Sequence, residues 1–179
     1  MKLIIKPFLL VNLIVLSFSS GLRAQSPETF WDKVYFGGNF GLQFGNLTVV
    51  DISPLMGYKI TENYSVGISA TYIYYKYSDP SNYYPDYSTN IYGGSVFNRF
   101  YFLENLFLHA EYEVLNMEVL DFNFKLARKN ITSVLVGGGY RQPLGENSSI
   151  NLMILYNLNE DRFSPYQNPI VRVGFAFGI

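Results

Sequence analysis

The chain has 179 residues and no cysteine, with 13 basic against 14 acidic side chains and aromatics at 18%. The missing cysteine excludes a disulfide scaffold and an acylated lipoprotein terminus. The near-balanced charge gives no electrostatic footprint for nucleic acid, and after residue 24 no stretch approaches the ~18 apolar residues that mark a spanning helix.

In chain order, Met1, Lys2 and Lys6 give a basic start, Phe8 to Phe18 an apolar run, and Ser19 to Ala24 a small-residue stretch. This is the pattern of a secretory signal peptide, with cleavage expected after Ala24. The run is shorter than the ~20 residues of a membrane helix. Removing residues 1–24 takes three basic residues and no acidic one, leaving ten against fourteen, a net −4. Residues 25–32 read as a short polar periplasmic lead-in and 33–179 as one barrel domain.

Eight alternating stretches follow. The first strand, Lys33 to Gly45, puts Val34, Phe36, Phe40, Leu42 and Phe44 on one face and Gly37, Asn39, Gly41 and Gln43 on the other. Gly45-Asn46 reads as a tight turn. The second strand, Thr48 to Ile60, has Ile52, Met56 and Tyr58 opposite Asp51, Ser53, Gly57 and Lys59. Pro54 predicts a bulge or kink, because proline lacks the ladder donor. The third strand, Tyr64 to Tyr77, keeps the rule with Ile73 as its exception. A breaker-rich loop, 78–89, carries Tyr83, Tyr84 and Tyr87. In the fourth strand, Asn90 to Phe102, Phe97 and Asn98 break the division. The fifth, Leu106 to Leu115, places His109, Glu111 and Glu113 on the polar face. Residues 116–129 read as a loop, with the alternation of Asp121 to Lys125 suggesting that the flanking strands extend into it. The sixth strand centres on Asn130 to Tyr140, 141–148 reads as a turn, and the seventh strand is Ser149 to Leu158. After a loop at 159–168, the last strand has Val171, Val173, Phe175, Phe177 and Ile179 on one face and Arg172, Gly174 and Gly178 on the other.

The strand lengths suit tilted membrane strands. The large apolar face keeps even parity through seven strands and becomes odd in the eighth, as a longer loop permits. The other face is small and polar, without the many lysines and glutamates of a water-exposed surface. Lipid outside and a filled polar lumen inside therefore fit better than a soluble lipocalin-like binder. The predicted fold is an all-β, eight-stranded, antiparallel up-and-down transmembrane barrel, closed by the last strand on the first. Turns at 61–63, 103–105 and 141–148 are expected on the periplasmic side. The loops at 78–89, 116–129 and 159–168, with the tight turn at 45–46, are expected outside.

The stretch Ile52 to Gly67 (ISPLMGYKITENYSVG) resembles the second and third strands of small outer-membrane β-barrel proteins common in Bacteroidetes. Phe97 to Phe102 (FNRFYF) is similar to their aromatic-Arg-aromatic fourth strand. Arg172, Gly174, Phe177 and Ile179 resemble the C-terminal signal read by the barrel assembly machinery, although Ile179 stands where phenylalanine is commoner. The resemblance implies an OmpA-like eight-stranded barrel inserted in the outer membrane, with lipid and the assembly machinery as partners. It implies no particular activity.

Candidate site residues fall on the polar face. Asp51, Lys59, Arg99, His109, Glu111, Glu113 and Arg172 are expected to form a lumen network, since buried charges are normally paired. A turn at 103–105 puts Arg99 opposite His109 and makes Glu111 its diagonal neighbour. The same His and Glu residues are the types that share a metal ion, but pairing is the simpler reading and no metal or cofactor is assigned. A lipid-modifying enzyme needs a nucleophile and a base; His109 is the sole histidine, points inward and has no serine two residues away. A narrow pore is disfavoured because eight-stranded interiors are filled. Tyr74, Tyr75 and Tyr77 read as an interfacial girdle. Tyr83, Tyr84 and Tyr87 are the candidate outer-loop contacts for an extracellular partner. The role expected is structural or one of surface interaction.

Overall fold

The computed structural model describes residues 29–43, 47–77, 87–120, 126–159, 161 and 163–178. Eight strands form a closed barrel in which each pairs with its sequence neighbours and the last with the first. They are β1 (Val34–Gln43), β2 (Leu47–Thr61), β3 (Tyr64–Tyr77), β4 (Tyr87–Tyr101), β5 (Leu106–Leu120), β6 (Leu126–Pro143), β7 (Ser148–Asn157) and β8 (Ile170–Phe177). All eight ladders are antiparallel. The end carrying the 62–63, 102–105 and 144–147 turns is called the lower end. The start of β1 and the end of β8 lie there too.

The alternation decides the two faces. Ile52, Ile68, Leu108 and Ile154 are exposed on the outside, whereas Ser53, Arg99, Glu111 and Asn151 are buried inside. In β8 the parity is reversed, with Arg172 and Ala176 inside and Val171, Val173, Phe175 and Phe177 outside. The register makes this possible: Phe36↔Phe177 to Phe40↔Val173 align the outward faces of β1 and β8 over five pairs. That seam is short beside the fifteen pairs of β5–β6.

Several boundaries differ from the sequence expectation. Residues 30–33 form a 3₁₀ turn, so β1 starts at Val34, and Asp32 and Thr29 cap the turn reciprocally. The bulge expected at Pro54 is absent. Gly38↔Pro54 keeps the β1–β2 register, and β2–β3 holds the same register from Ile52↔Tyr72 to Leu55↔Ser69. Pro54 projects outward, and the irregularity falls at Lys59/Thr61 beside the tight turn. The 116–129 loop is mostly strand. β5 and β6 pair continuously out to Leu120↔Leu126, and residues 121–125 lie outside the described residues. β6 also continues to Pro143, which reduces the expected 141–148 turn. The 45–46 turn lies outside the described residues.

The interior contains more than small polar groups. Three apolar clusters fill it: Phe107, Leu135, Met153, Leu155 and Ile170; Tyr35, Leu55, Phe97 and Ala176; and Ile73, Ile91 and Leu115. Ile73 and Phe97, the exceptions in the sequence pattern, are therefore packing residues. Room for Phe97 and three other large side chains comes from glycine. Tyr35 pairs with Gly57, Phe97 with Gly67, Leu115 with Gly93, and Phe107 with Gly139. A Cβ added at any of these glycines would meet the side chain of its cross-strand partner. Large side chains thus lie across a strand that offers no side chain of its own, which lets a narrow interior take them.

Candidate functional site

The outer wall is the first candidate surface. On β5 the outward positions are Leu106, Leu108, Ala110, Tyr112 and Val114, and then Asn116 and Glu118. The apolar part spans roughly 27 Å along the strand at ~3.4 Å per residue. At a tilt of about 40° that is about 21 Å of height, near the apolar band of a membrane barrel. Aromatic residues mark both limits. Phe36, Phe100, Tyr140 and Phe177 are exposed toward the lower end, and Tyr72, Tyr74, Tyr92 and Tyr156 toward the upper. Phe30 stacks on Tyr58 at 5.1 Å and meets Trp31 edge-on at 5.4 Å. Beneath them runs an apolar groove of about 480 Å³ lined by Met56, Ile68 and Val96 among others. Above the band the outward face turns polar. Arg128 donates to Asn116 Oδ1 (2.9 Å) and the Asn90 carbonyl (2.9 Å), and Asn116 donates to Asn130 (2.7 Å).

The interior holds a connected polar chain. Arg99 Nε donates to His109 Nδ1 at 3.2 Å, and the two residues are directly paired in the β4–β5 ladder. Because Nδ1 accepts, the imidazole proton sits on Nε2, which donates to Glu111 Oε2 at 3.0 Å. Arg172 Nη1 reaches the same oxygen at 2.8 Å, and its Nη2 lies 3.8 Å from Glu113 Oε1. Thr71 donates to that Glu113 oxygen at 3.0 Å. Glu113 has no exposed surface, and Arg99, His109, Glu111 and Arg172 are each buried.

A residue from the last loop completes the upper part. Arg172 Nη2 donates to the Tyr166 hydroxyl at 3.1 Å, with the Arg172 guanidinium 5.4 Å from the Tyr166 ring centre. Tyr166 packs against two of the apolar clusters, so this loop turns into the barrel mouth. Burial raises the Tyr166 phenol well above its ordinary range, against the lowering effect of Arg172. Asn157 and Asn168 pin the loop: Asn157 N–H donates to Asn168 Oδ1 (2.7 Å) and Asn168 Nδ2 to the Asn157 carbonyl (3.1 Å).

The structure brings Arg99, His109, Glu111, Glu113 and Arg172 into contact. Glu111 bonds His109 and Arg172 instead of the expected Arg99. Asp51 accepts from Ser53 at 2.6 Å within electrostatic reach of Arg172. Lys59 is half-buried two strands round from Arg99, through the register Lys59↔Ser65↔Arg99. An arginine stands between the carboxylates where a metal would need to sit. Gly174 pairs with Asn39 and Asn151, and Phe177 with Phe36 and Ser148, while Ile179 lies outside the described residues. Tyr83 and Tyr84 also lie outside them, and of Tyr87 only the backbone, opening β4 opposite Tyr77, is described. Tyr75 does not join the girdle: it packs inward against Ile73, Ile91 and Leu115. Sequence reasoning missed Tyr166, for which no periodic signal exists. It marked Phe97 only as a break in the pattern and missed Met153, whose odd parity was the available sign.

No family model matches the chain, and no curated protein matches it significantly. Solved structures do. The backbone structure of the Yersinia pestis outer membrane protein Ail in a phospholipid bilayer nanodisc aligns with a TM-score of 0.54 at 11% identity, over 81% of this chain and 97% of that one. The N-terminal β-barrel domain of Pseudomonas aeruginosa OprF aligns with a TM-score of 0.47 at 14% identity, over 81% and 96%. At these identities the likeness to Ail is one of fold: an eight-stranded up-and-down barrel.

Proposed function

We propose that this chain is an integral outer-membrane β-barrel protein with a structural or surface-interaction role and no catalytic activity. The observation that carries the reading is the exposed apolar band on the outside of a closed barrel, bounded by aromatic residues and enclosing buried charges. Water would penalise that band, whereas hydrocarbon accepts it, and barrel closure satisfies the backbone without solvent. Residues 1–24 act as the export signal. Arg172, Gly174, Phe177 and Ile179 serve as the assembly tag, and outer-membrane lipid is the permanent partner. The lower end faces the periplasm, and the long upper hairpins face outward with Tyr83, Tyr84 and Tyr87 among their contacts.

Outer-membrane fractionation with heat-modifiable gel migration tests this. The folded species should run ahead of the boiled one and be released only by detergent. Recovery of a folded monomer in detergent-free buffer would overturn the membrane reading. N-terminal sequencing of the exported protein should begin at Gln25.

A further inference from the structure

The charges inside the barrel are sorted by height. In the upper half Arg172 lies among Asp51, Glu111 and Glu113. In the lower half the order is reversed. Arg99 is 1% exposed, yet among the described residues no carboxylate pairs with it. Its contacts are the neutral His109 ring, Met153 Sδ at 3.9 Å, and the faces of Phe97 and Phe107 at 4.9 and 5.3 Å. Its Nη1 has no partner. Arg141 is half-buried, with its guanidinium 5.8 Å from the Tyr101 ring centre and its Nε buried and unpartnered. Tyr101 and Phe107 themselves pack at 5.4 Å, so both arginines rest on one aromatic pair. The Tyr35 hydroxyl, 3.1 Å from Ser65 Oγ, lies within electrostatic reach of both.

Two guanidinium groups on one aromatic pair repel each other, and a buried charge without a counter-charge, as at Arg99, is costly. Aromatic faces offset only part of that. The other unpartnered atoms nearby are the Ser149 hydroxyl and Asn151 Oδ1, the latter directly opposite Arg141 in the β6–β7 ladder. The hydroxyl can donate to an anion, and the Asn151 amide does so once turned to present its NH2 group. We infer that the lower half of the barrel interior is an anion-binding chamber, in which Arg99 and Arg141 hold a small halide or oxyanion. Guanidinium forks suit planar and tetrahedral oxyanions, and the rings exclude competing water. The inference is independent of how the barrel sits in a membrane.

Urea unfolding of the full barrel in detergent tests it, at constant ionic strength made up with gluconate. Sodium bromide and sodium phosphate are titrated separately. The wild type should show a midpoint that rises and then saturates with at least one of them, as a ligand bound only by the folded state requires. Which anion does so separates a halide site from an oxyanion site. Arg141→Gln should abolish the saturable part, and Arg128→Gln, on the outer wall, should retain it. An equal response in all three proteins overturns the inference. So does a wild type whose midpoint shifts with neither anion, or only without saturation, whatever the variants do.

Discussion

At the scale of single residues, Arg172 holds the most consequential position, because two buried carboxylates depend on it. Replacing it with leucine leaves Glu111 and Glu113 without their cation. The expected loss is about 3–5 kcal/mol in urea unfolding. Adding Glu111→Gln and Glu113→Gln to the same chain should recover part of it; a leucine variant as stable as the wild type would contradict the pairing. The glycine receptacles give a second prediction. Gly57→Val should cost about 1–3 kcal/mol through overpacking against Tyr35. Tyr35→Ala in the same chain should make that cost smaller, since the two positions share one volume. Parity alone put Arg99, His109, Glu111, Glu113 and Arg172 on one face in the sequence. Their choice of partner was not legible. Spacing gives neighbours within a hairpin, whereas Glu111 and Arg172 are 61 residues apart and meet only once the barrel closes. Tyr166 was less legible still, because a loop carries no period.

At the scale of elements, the strands obey two rules in succession. Within the band the outward face is apolar and the interior mixed. Above it β5 and β6 turn Asn116, Glu118, Arg128 and Asn130 outward, with Val119 and Ile131 buried inside. A reading that requires apolar residues outside therefore stops at Leu115, although both strands continue. On the proposed membrane placement, the rule fails there because the environment changes from hydrocarbon to water. Arginine scanning in lipid vesicles should expose the boundary. Ile154→Arg, at the middle of the β7 band, should cost about 2–4 kcal/mol, and Asn130→Arg about 0–1. Equal costs at both positions would place the band elsewhere. Pro54 teaches a related lesson: a missing donor does not force a bulge when the ring projects outward and the register is fixed on both sides.

At the scale of the whole molecule, closure was legible from eight repeats of one pattern, while the odd parity of the last strand was read only as what a longer loop permits. How the lumen is filled was not, because Ile73 and Phe97 looked like errors until their packing was in view, Phe97 over the cross-strand Gly67 and Ile73 against Ile91 and Leu115. A barrel plugged by three apolar clusters, a charged chain and Tyr166 should give no large steady conductance in planar-bilayer recordings; a stable large conductance would show that the interior is not packed in the membrane. The five-pair seam between β1 and β8 has a mechanical consequence. Both strands reach the lower end, one at its beginning and the other at its end. Tension applied to the two termini from that side opens the seam as a zip, stressing one rung at a time instead of shearing all five together. In a single-molecule stretching experiment the barrel should therefore yield first, and at low force, along the line where it was closed.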